Sequence, residues 1–321
     1  MEKDINNSKD NYELISEKRT KRRTMYKTID TIMRGLFKLS GLISALMIVL
    51  IILFVTIKGL TVFLPSYENP VDLGNFLTGM RWRADQQDYG VLFIIINTIL
   101  SSFLAALIAF PLAVLSALMI TKIAPKRLSG VLTTIVELLA AVPSVVYGVF
   151  ASGVITSLVD NIASFFNYTT FGGNSMLAVV LLLAIMIYPT ITSMAVVAIN
   201  AVPESHELGS LALGASRTQT NFKVVLSSAK SGIFAGLILG LGRAYGEATA
   251  VSMVAGNAFV GPTWNPFGIT RTLTSTMLSG MHETAGVDYD IRFSVGIILM
   301  IVILINNFLV NYIKRRIESG E

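Results

Sequence analysis

Arg243 and Glu247 are the residues of this chain best placed to do chemistry, because they stand four apart inside the otherwise apolar stretch Ser231 to Gly256. As one α-helix these 26 residues would rise about 39 Å, enough to cross a bilayer core of roughly 30 Å with some tilt. A guanidinium near mid-depth costs at least about 2.5 kcal/mol, and much more without partners or water, so such a residue faces a bundle interior or an aqueous path. Glu247, at i+4, is the expected partner. The pair fits either an anion pathway or a structural ion pair between packed helices. In the same stretch Gly232, Gly236, Gly240, Ala244, Ala248, Ser252 and Gly256 recur at every fourth position. Small residues at that spacing let helix backbones approach closely in a membrane, which predicts a packing seam.

A second intramembrane acid, Glu137, precedes Pro143-Ser144. Proline removes a backbone donor and frees a carbonyl that must find a substitute partner, so a kink is expected at Pro143. Glu137 either snorkels toward the near surface or meets a basic residue on another helix. Ser144, Tyr147, Thr249 and Ser252 are the candidate hydroxyl donors beside Arg243 and Glu247. The chain has no cysteine and only His206 and His282 as histidines, which excludes a disulfide framework and argues against a metal or redox centre.

The elements that must carry these residues follow from hydropathy. Hydrophobic residues make up 53% of the chain against 14% charged, so it reads as a polytopic all-α membrane protein. Six long apolar segments are expected at about 39–64, 91–120, 131–159, 176–200, 231–258 and 291–313, between polar tails at 1–38 and 314–321. Nineteen of the 25 Lys and Arg fall in the first tail, beside 122–127, within 217–230 or at 314–316. The positive-inside rule then places both termini in the cytoplasm of a plasma membrane, and the basic charge needs no nucleic acid to explain it. The first tail is expected to set orientation, with a portion able to lie on anionic lipid and residues 1–15 equally readable as disordered. Trp82, Tyr89 and Trp264, in the outer loops 65–90 and 259–290, suit an interfacial aromatic belt.

The inner connection, residues 200–230, reads as two short amphipathic helices with a hinge. Pro203 and Glu204 suit a helix start. Leu208, Leu211, Ala212 and Ala215 recur at helical spacing, Gly214 interrupts them, and Phe222, Val225 and Leu226 form a second stripe. Such a pair would either lie on lipid or dock on a partner.

The 200–230 loop is similar to the coupling loop of ABC importer permeases, with Gly214 and Leu226 at the family's glycine and leucine positions and Val224 at its isoleucine position. Leu208, Gly209 and Ser210 stand where the family has Glu-Ala-Ala, Glu207 lies one residue early, and Ser227 replaces a proline. The runs Phe76-Leu77-Thr78-Gly79 with Trp82 and Tyr89-Gly90, Asn97-Thr98, Glu137 to Gly148, Gly240 to Glu247 and Ala255-Gly256-Asn257 together resemble phosphate-specific importer permeases of the PstC type. The sister PstA type shares part of this set. The resemblance implies a type I ABC importer permease fold and a heterodimer with a PstA-type permease. It also implies a PstB-type ATPase dimer and an external PstS-type phosphate-binding protein in a bacterial or archaeal plasma membrane. ATP and Mg would then belong to the ATPase, since this chain has no G-x-x-x-x-G-K-[ST] loop and needs no cofactor of its own. It implies transport roles for Arg243 and Glu247, and ATPase coupling for Glu204, Glu207, Leu211, Gly214, Ala215, Val224 and Leu226. An ion-driven carrier using Arg243, Glu247 and Glu137 as a relay is the alternative of another class; a non-transporting scaffold would leave the buried charges unexplained.

Overall fold

In the computed structural model the backbone is described from residue 2 to 319, and side chains for Tyr26 and residues 29–316. The chain divides into two compact units, Met1–Val55 and Thr56–Glu321, and every site discussed below lies within the second. In chain order the helices are α1 (Glu2–Thr61), α2 (Leu73–Thr78), α3 (Leu92–Leu118), α4 (Lys126–Ala141), α5 (Ser144–Phe150), α6 (Thr156–Phe165), α7 (Met176–Asn200) and α8 (Glu204–Ala212). They continue with α9 (Arg217–Gln219), α10 (Leu226–Gly246), α11 (Thr249–Val254), α12 (Leu273–Leu278) and α13 (Val287–Ser319). Two short strands, β1 (Trp82–Arg83) and β2 (Asp88–Tyr89), pair antiparallel.

Among the described residues six helical spans are long and apolar enough to cross a membrane, at Ile29–Thr61, Leu92–Ile123, Ser144–Phe165, Met176–Asn200, Arg217–Gly246 and Val287–Arg316. Their number matches the sequence reading, but two positions differ from it. The third span is broken rather than kinked: α4 ends at Ala141, Val142 and Pro143 are extended, and a new helix begins at Ser144. The fifth lies at 217–246 instead of 231–258. The expected second helix of the 200–230 loop runs through a π-turn, Thr220–Val225, straight into α10. At the other end α10 stops at Gly246. The first helix also runs through the boundary expected at residue 38, with its backbone helical from Glu2; the side chains that would test the orienting role of residues 1–25 lie outside the described residues.

α7 is the centre of the bundle, because its residues are apolar on every side and many of them are fully buried, among them Leu182, Leu183, Met186, Ile187 and Ile191. The seam glycines of α10 lie against it. A Cβ on Gly232 would meet Ala198 Cβ at 2.5 Å, one on Gly236 would meet Met194 Cβ at 2.9 Å, and one on Gly240 would meet Ile191 Cγ1 at 2.8 Å. Ala244 is buried one turn further along. The seam ends there, because Ala248, Ser252 and Gly256 lie beyond the end of α10 and belong to other elements.

The two long loops are knitted into one cap. Trp82 N–H donates to the Phe259 carbonyl at 2.8 Å, and Gly261 N–H to the Met80 carbonyl at 3.2 Å. Trp82 and Tyr89 do not form an interfacial belt: both are buried, edge to face at 5.4 Å, and only Trp264 of the three is exposed. Burying an aromatic pair inside a loop cap is worth more than a place at the headgroups, because it removes both rings from water and adds an edge-to-face contact. Tyr67 donates to Asp290 at 2.8 Å and Tyr89 to Asp288, tying the cap to the start of α13. Burial and the adjacent carboxylates push the Tyr67 hydroxyl up to about 12 and that of Tyr89 higher still.

Candidate functional site

The expected Arg243–Glu247 pair does not form. Glu247 caps the end of α10 with extended backbone (φ −77°, ψ 112°), so the two residues are not on consecutive turns of one helix. The Glu247 carboxylate instead accepts the Ala250 N–H at 3.0 Å, satisfying a free donor in the first turn of α11. Its backbone carbonyl accepts the Thr274 hydroxyl at 2.7 Å. The break therefore leaves those groups satisfied, as a membrane interior requires.

Arg243, half-buried in the last turn of α10, donates from Nη1 to Thr190 Oγ1 at 3.1 Å. Thr190 follows Pro189 within α7, so the central helix supplies the contact that positions the guanidinium. Among the described residues no carboxylate forms an ion pair with Arg243.

The second break faces the first. Tyr147, buried in α5, donates its hydroxyl to the Leu139 carbonyl at 2.8 Å, back across the gap at Pro143. α5 and α11 then pack side by side with Gly148 at the contact, where an added Cβ would stand 2.9 Å from Ala250 Cα and 2.6 Å from Met253 Sδ. Two interrupted helices thus meet beside one guanidinium.

The hydroxyls expected to line a path divide into two groups. Tyr147 and Ser252 have their hydrogens committed to backbone, Ser252 Oγ donating to the Thr249 carbonyl at 2.8 Å, and neither offers a donor to an anion. Ser144, first in α5, and Thr249, first in α11, are half-buried and their hydroxyls have no partner among the described residues. Glu137 is exposed on α4 of this chain. Thr190 and Thr274 were not among the sequence candidates. A hydroxyl residue next to Pro189 in the apolar run 176–200 was the available signal for the first; nothing local marked the second.

Arg271, in the 259–290 loop, and Arg292, in the second turn of α13, are both buried. Arg271 donates to the carbonyls of Ala258 at 2.7 Å and Asn257 at 2.9 Å, and Arg292 to those of Asp288 at 2.9 Å and Thr276 at 2.8 Å. Burial, with Arg292 nearby, pushes the Arg271 guanidinium down to about 10. They hold the 255–280 region in place.

In the 200–230 region, Glu204, Leu208 and Leu211 are exposed on α8, Gly214 takes φ +85°, and Ser216 and Gln219 cap α9 reciprocally. The left-handed conformation at Gly214 ends α8 at little steric cost only because the residue is glycine. Ala215, Val224 and Leu226 are half-buried. Glu207 is not free for a partner protein: it forms an ion pair with Lys122 of the same chain.

Residues 109–319 match the family described as binding-protein-dependent transport system inner membrane component. The chain is 39% identical to the probable ABC transporter permease protein YqgH of Bacillus subtilis, over 84% of this chain and 85% of that protein. It is 32% identical to the probable phosphate transport system permease protein PstC of Methanocaldococcus jannaschii, over 83% and 90% of the two chains. To PstC 2 of Mycobacterium tuberculosis it is 31% identical over 89% and 92%. The fold matches a chain of a bacterial ABC transporter involved in alginate import with TM-score 0.60 and 19% identity, covering 90% of this chain and 99% of that one. A chain of the inward-facing MetNI methionine transporter matches with TM-score 0.52 and 18% identity, over 70% and 94%. The chain therefore belongs to the family of binding-protein-dependent transport system inner membrane components, as a multi-pass plasma-membrane permease that is not itself an enzyme.

Proposed function

We propose that this chain is the PstC-type half of an ATP-driven inorganic phosphate importer. The observation that carries the reading is the state of Arg243: a half-buried guanidinium beside two helix breaks, held by a threonine hydroxyl and, among the described residues, not neutralised by a carboxylate. A planar cation of this kind matches an oxyanion and offsets part of its desolvation. One such cation, with Ser144 and Thr249 as the free hydroxyls near the breaks among the described residues, makes a weak site, and conduction requires that an anion can leave. Glu247 acts one step removed, because its carboxylate fixes the start of α11 and keeps negative charge near the path without occupying the guanidinium. The names of relatives that share most of this chain's length support phosphate as the substrate.

Under this reading both termini lie inside the cell, α8 and α9 meet a PstB-type ATPase dimer that holds ATP and Mg, and a PstA-type permease completes the path. A PstS-type protein delivers phosphate at the cap formed by residues 65–90 and 259–290. The test is uptake of labelled phosphate at low micromolar concentration, with labelled sulfate in parallel, in cells lacking only this chain. Selective loss of phosphate uptake is expected. Loss of a different oxyanion would keep the importer and overturn the substrate, and uptake that continues without a co-purifying ATPase would favour an ion-driven carrier.

A further inference from the structure

α8 has no buried residue of its own, so burial does not fix it to the membrane-spanning helices. Among the described residues three side-chain contacts join it to them instead, the weakest an exposed 3.4 Å contact between His206 and Ser228 of α10. Lys122, in the π-turn Met119–Ile123 that ends α3, forms an ion pair with Glu207. Ser210, three residues on and therefore on the same face of α8, shares a 2.9 Å hydrogen bond with Thr220 in the π-turn leading into α10. The ion pair is mostly covered, at 18% and 22% side-chain exposure, unlike exposed surface pairs, whose worth is about 0–1 kcal/mol. It stands at the wall of a cavity of about 230 Å³ that Glu204, Leu208, Leu211 and Arg217 also line, so close packing does not secure α8 there.

α8 is joined covalently to α7 through residues 201–203 and to α10 through 213–225, but α3 has no such connection. Near this end α3 meets its neighbours mostly through apolar side chains, Ala117 and Leu118 in one cluster with Ile199, Val225 and Ala229, and through one hydrogen bond to α7, from the Tyr188 hydroxyl to Ser116 Oγ at 2.8 Å; none of these contacts reaches α8. Apolar contact is non-directional; a covered ion pair adds a specific point of attachment between α3 and α8.

We propose that Lys122 and Glu207 are positioning residues that clamp α8 to the end of α3, so that a stroke delivered to α8 moves α3 together with α7 and α10. The proposal rests on reading α8 as the element that meets the ATPase.

The test uses the whole complex, reconstituted in vesicles, with transport and ATP hydrolysis measured together. Lys122→Glu and Glu207→Lys should each lower phosphate transported per ATP hydrolysed by at least about fivefold, the lower end of common coupling energies. Assembly and hydrolysis should persist, and the double swap should recover at least half of the ratio. Wild-type ratios in the single variants, or a double swap no better than the worse single, would overturn the clamp. Because the chain has no cysteine, Lys122→Cys with Glu207→Cys can be bridged by a short thiol cross-linker, which decides the matter even if the charge variants assemble poorly. Transport should rise when the bridge forms; its loss on bridging would show that α8 must move against α3 and would end the proposal. Leu213→Asp, at an exposed position just after α8, separates the two levels. If it leaves ATPase binding and uptake unchanged, the docking reading fails and the clamp with it; if it releases the ATPase while the swap shows no rescue, the clamp alone fails.

Discussion

Gly148→Ala probes the contact that brings the two helix breaks together. The new Cβ would stand 2.9 Å from Ala250 Cα and 2.6 Å from Met253 Sδ, against about 3.5–4.0 Å for ordinary carbon contact. The methionine sulfur can swing aside, but the Ala250 backbone cannot, so α5 must draw back from α11 by at least about half an ångström. Added volume of this kind in a packed interior costs about 1–3 kcal/mol. Gly130, inside α4, supplies the matched control. A Cβ there meets nothing within 4 Å, and relief of glycine's backbone entropy should stabilise the helix by about 0.5–1 kcal/mol. Unfolding of the detergent-solubilised chain, followed for both variants, should show Gly148→Ala less stable and Gly130→Ala at least as stable as the parent. Phosphate uptake should fall with the first, because the displaced breaks lie beside Arg243. A Gly148→Ala chain as stable as the parent would refute the close α5–α11 contact.

Three further outcomes follow from the same geometry. Glu247→Ala removes the acceptor for the Ala250 N–H and should cost about 0.5–2 kcal/mol in the same unfolding assay, as loss of a helix cap does. Glu247→Gln keeps an acceptor oxygen, so it should stay near parental stability while lowering uptake; unchanged uptake would show that the negative charge is not used. Thr190→Val strips Arg243 of its side-chain partner and should lower uptake with assembly intact, whereas Thr190→Ser should retain it. In the cap, the Tyr67 value is raised in the folded chain, from near 10 to about 12. Its contribution is therefore full below about pH 10 and lost as pH rises through about 12, a loss that Tyr67→Phe should remove from the pH profile of unfolding.

What the sequence revealed follows from the range of the forces involved. Six spans were legible because hydrophobic length is a local property, and Pro143 marked a disturbance because proline acts on its own turn, although the sequence pointed to a kink within one span and not to the full break between α4 and α5. The end of α10 at Glu247 was not. Arg243-Ala244-Tyr245-Gly246-Glu247 reads as an ordinary helical i,i+4 motif, and what holds the break open is Thr274, 27 residues further on. Trp82 and Tyr89 have the composition of a headgroup belt. Only the pairing of residues 80–82 with 259–261, remote in sequence, puts them inside a cap. Arg271 lies in a loop and Arg292 inside α13, and the partners of both are backbone carbonyls, which leave no pattern in a sequence. Arg243 was found by its chemistry, while its partner was misjudged: the i+4 rule pointed to Glu247, and Thr190 of another helix holds it instead. Glu207 was likewise read as a contact for another protein because its partner, Lys122, is 85 residues away.

The proposed phosphate path runs past the Arg243 guanidinium, beside two broken helices. Its most direct test is uptake of labelled phosphate by vesicles holding the complete complex, with the parent chain or with Arg243→Ala. The account predicts that Arg243→Ala abolishes uptake while all subunits still co-purify. Parental uptake by that variant would contradict it and would remove Arg243 from the pathway.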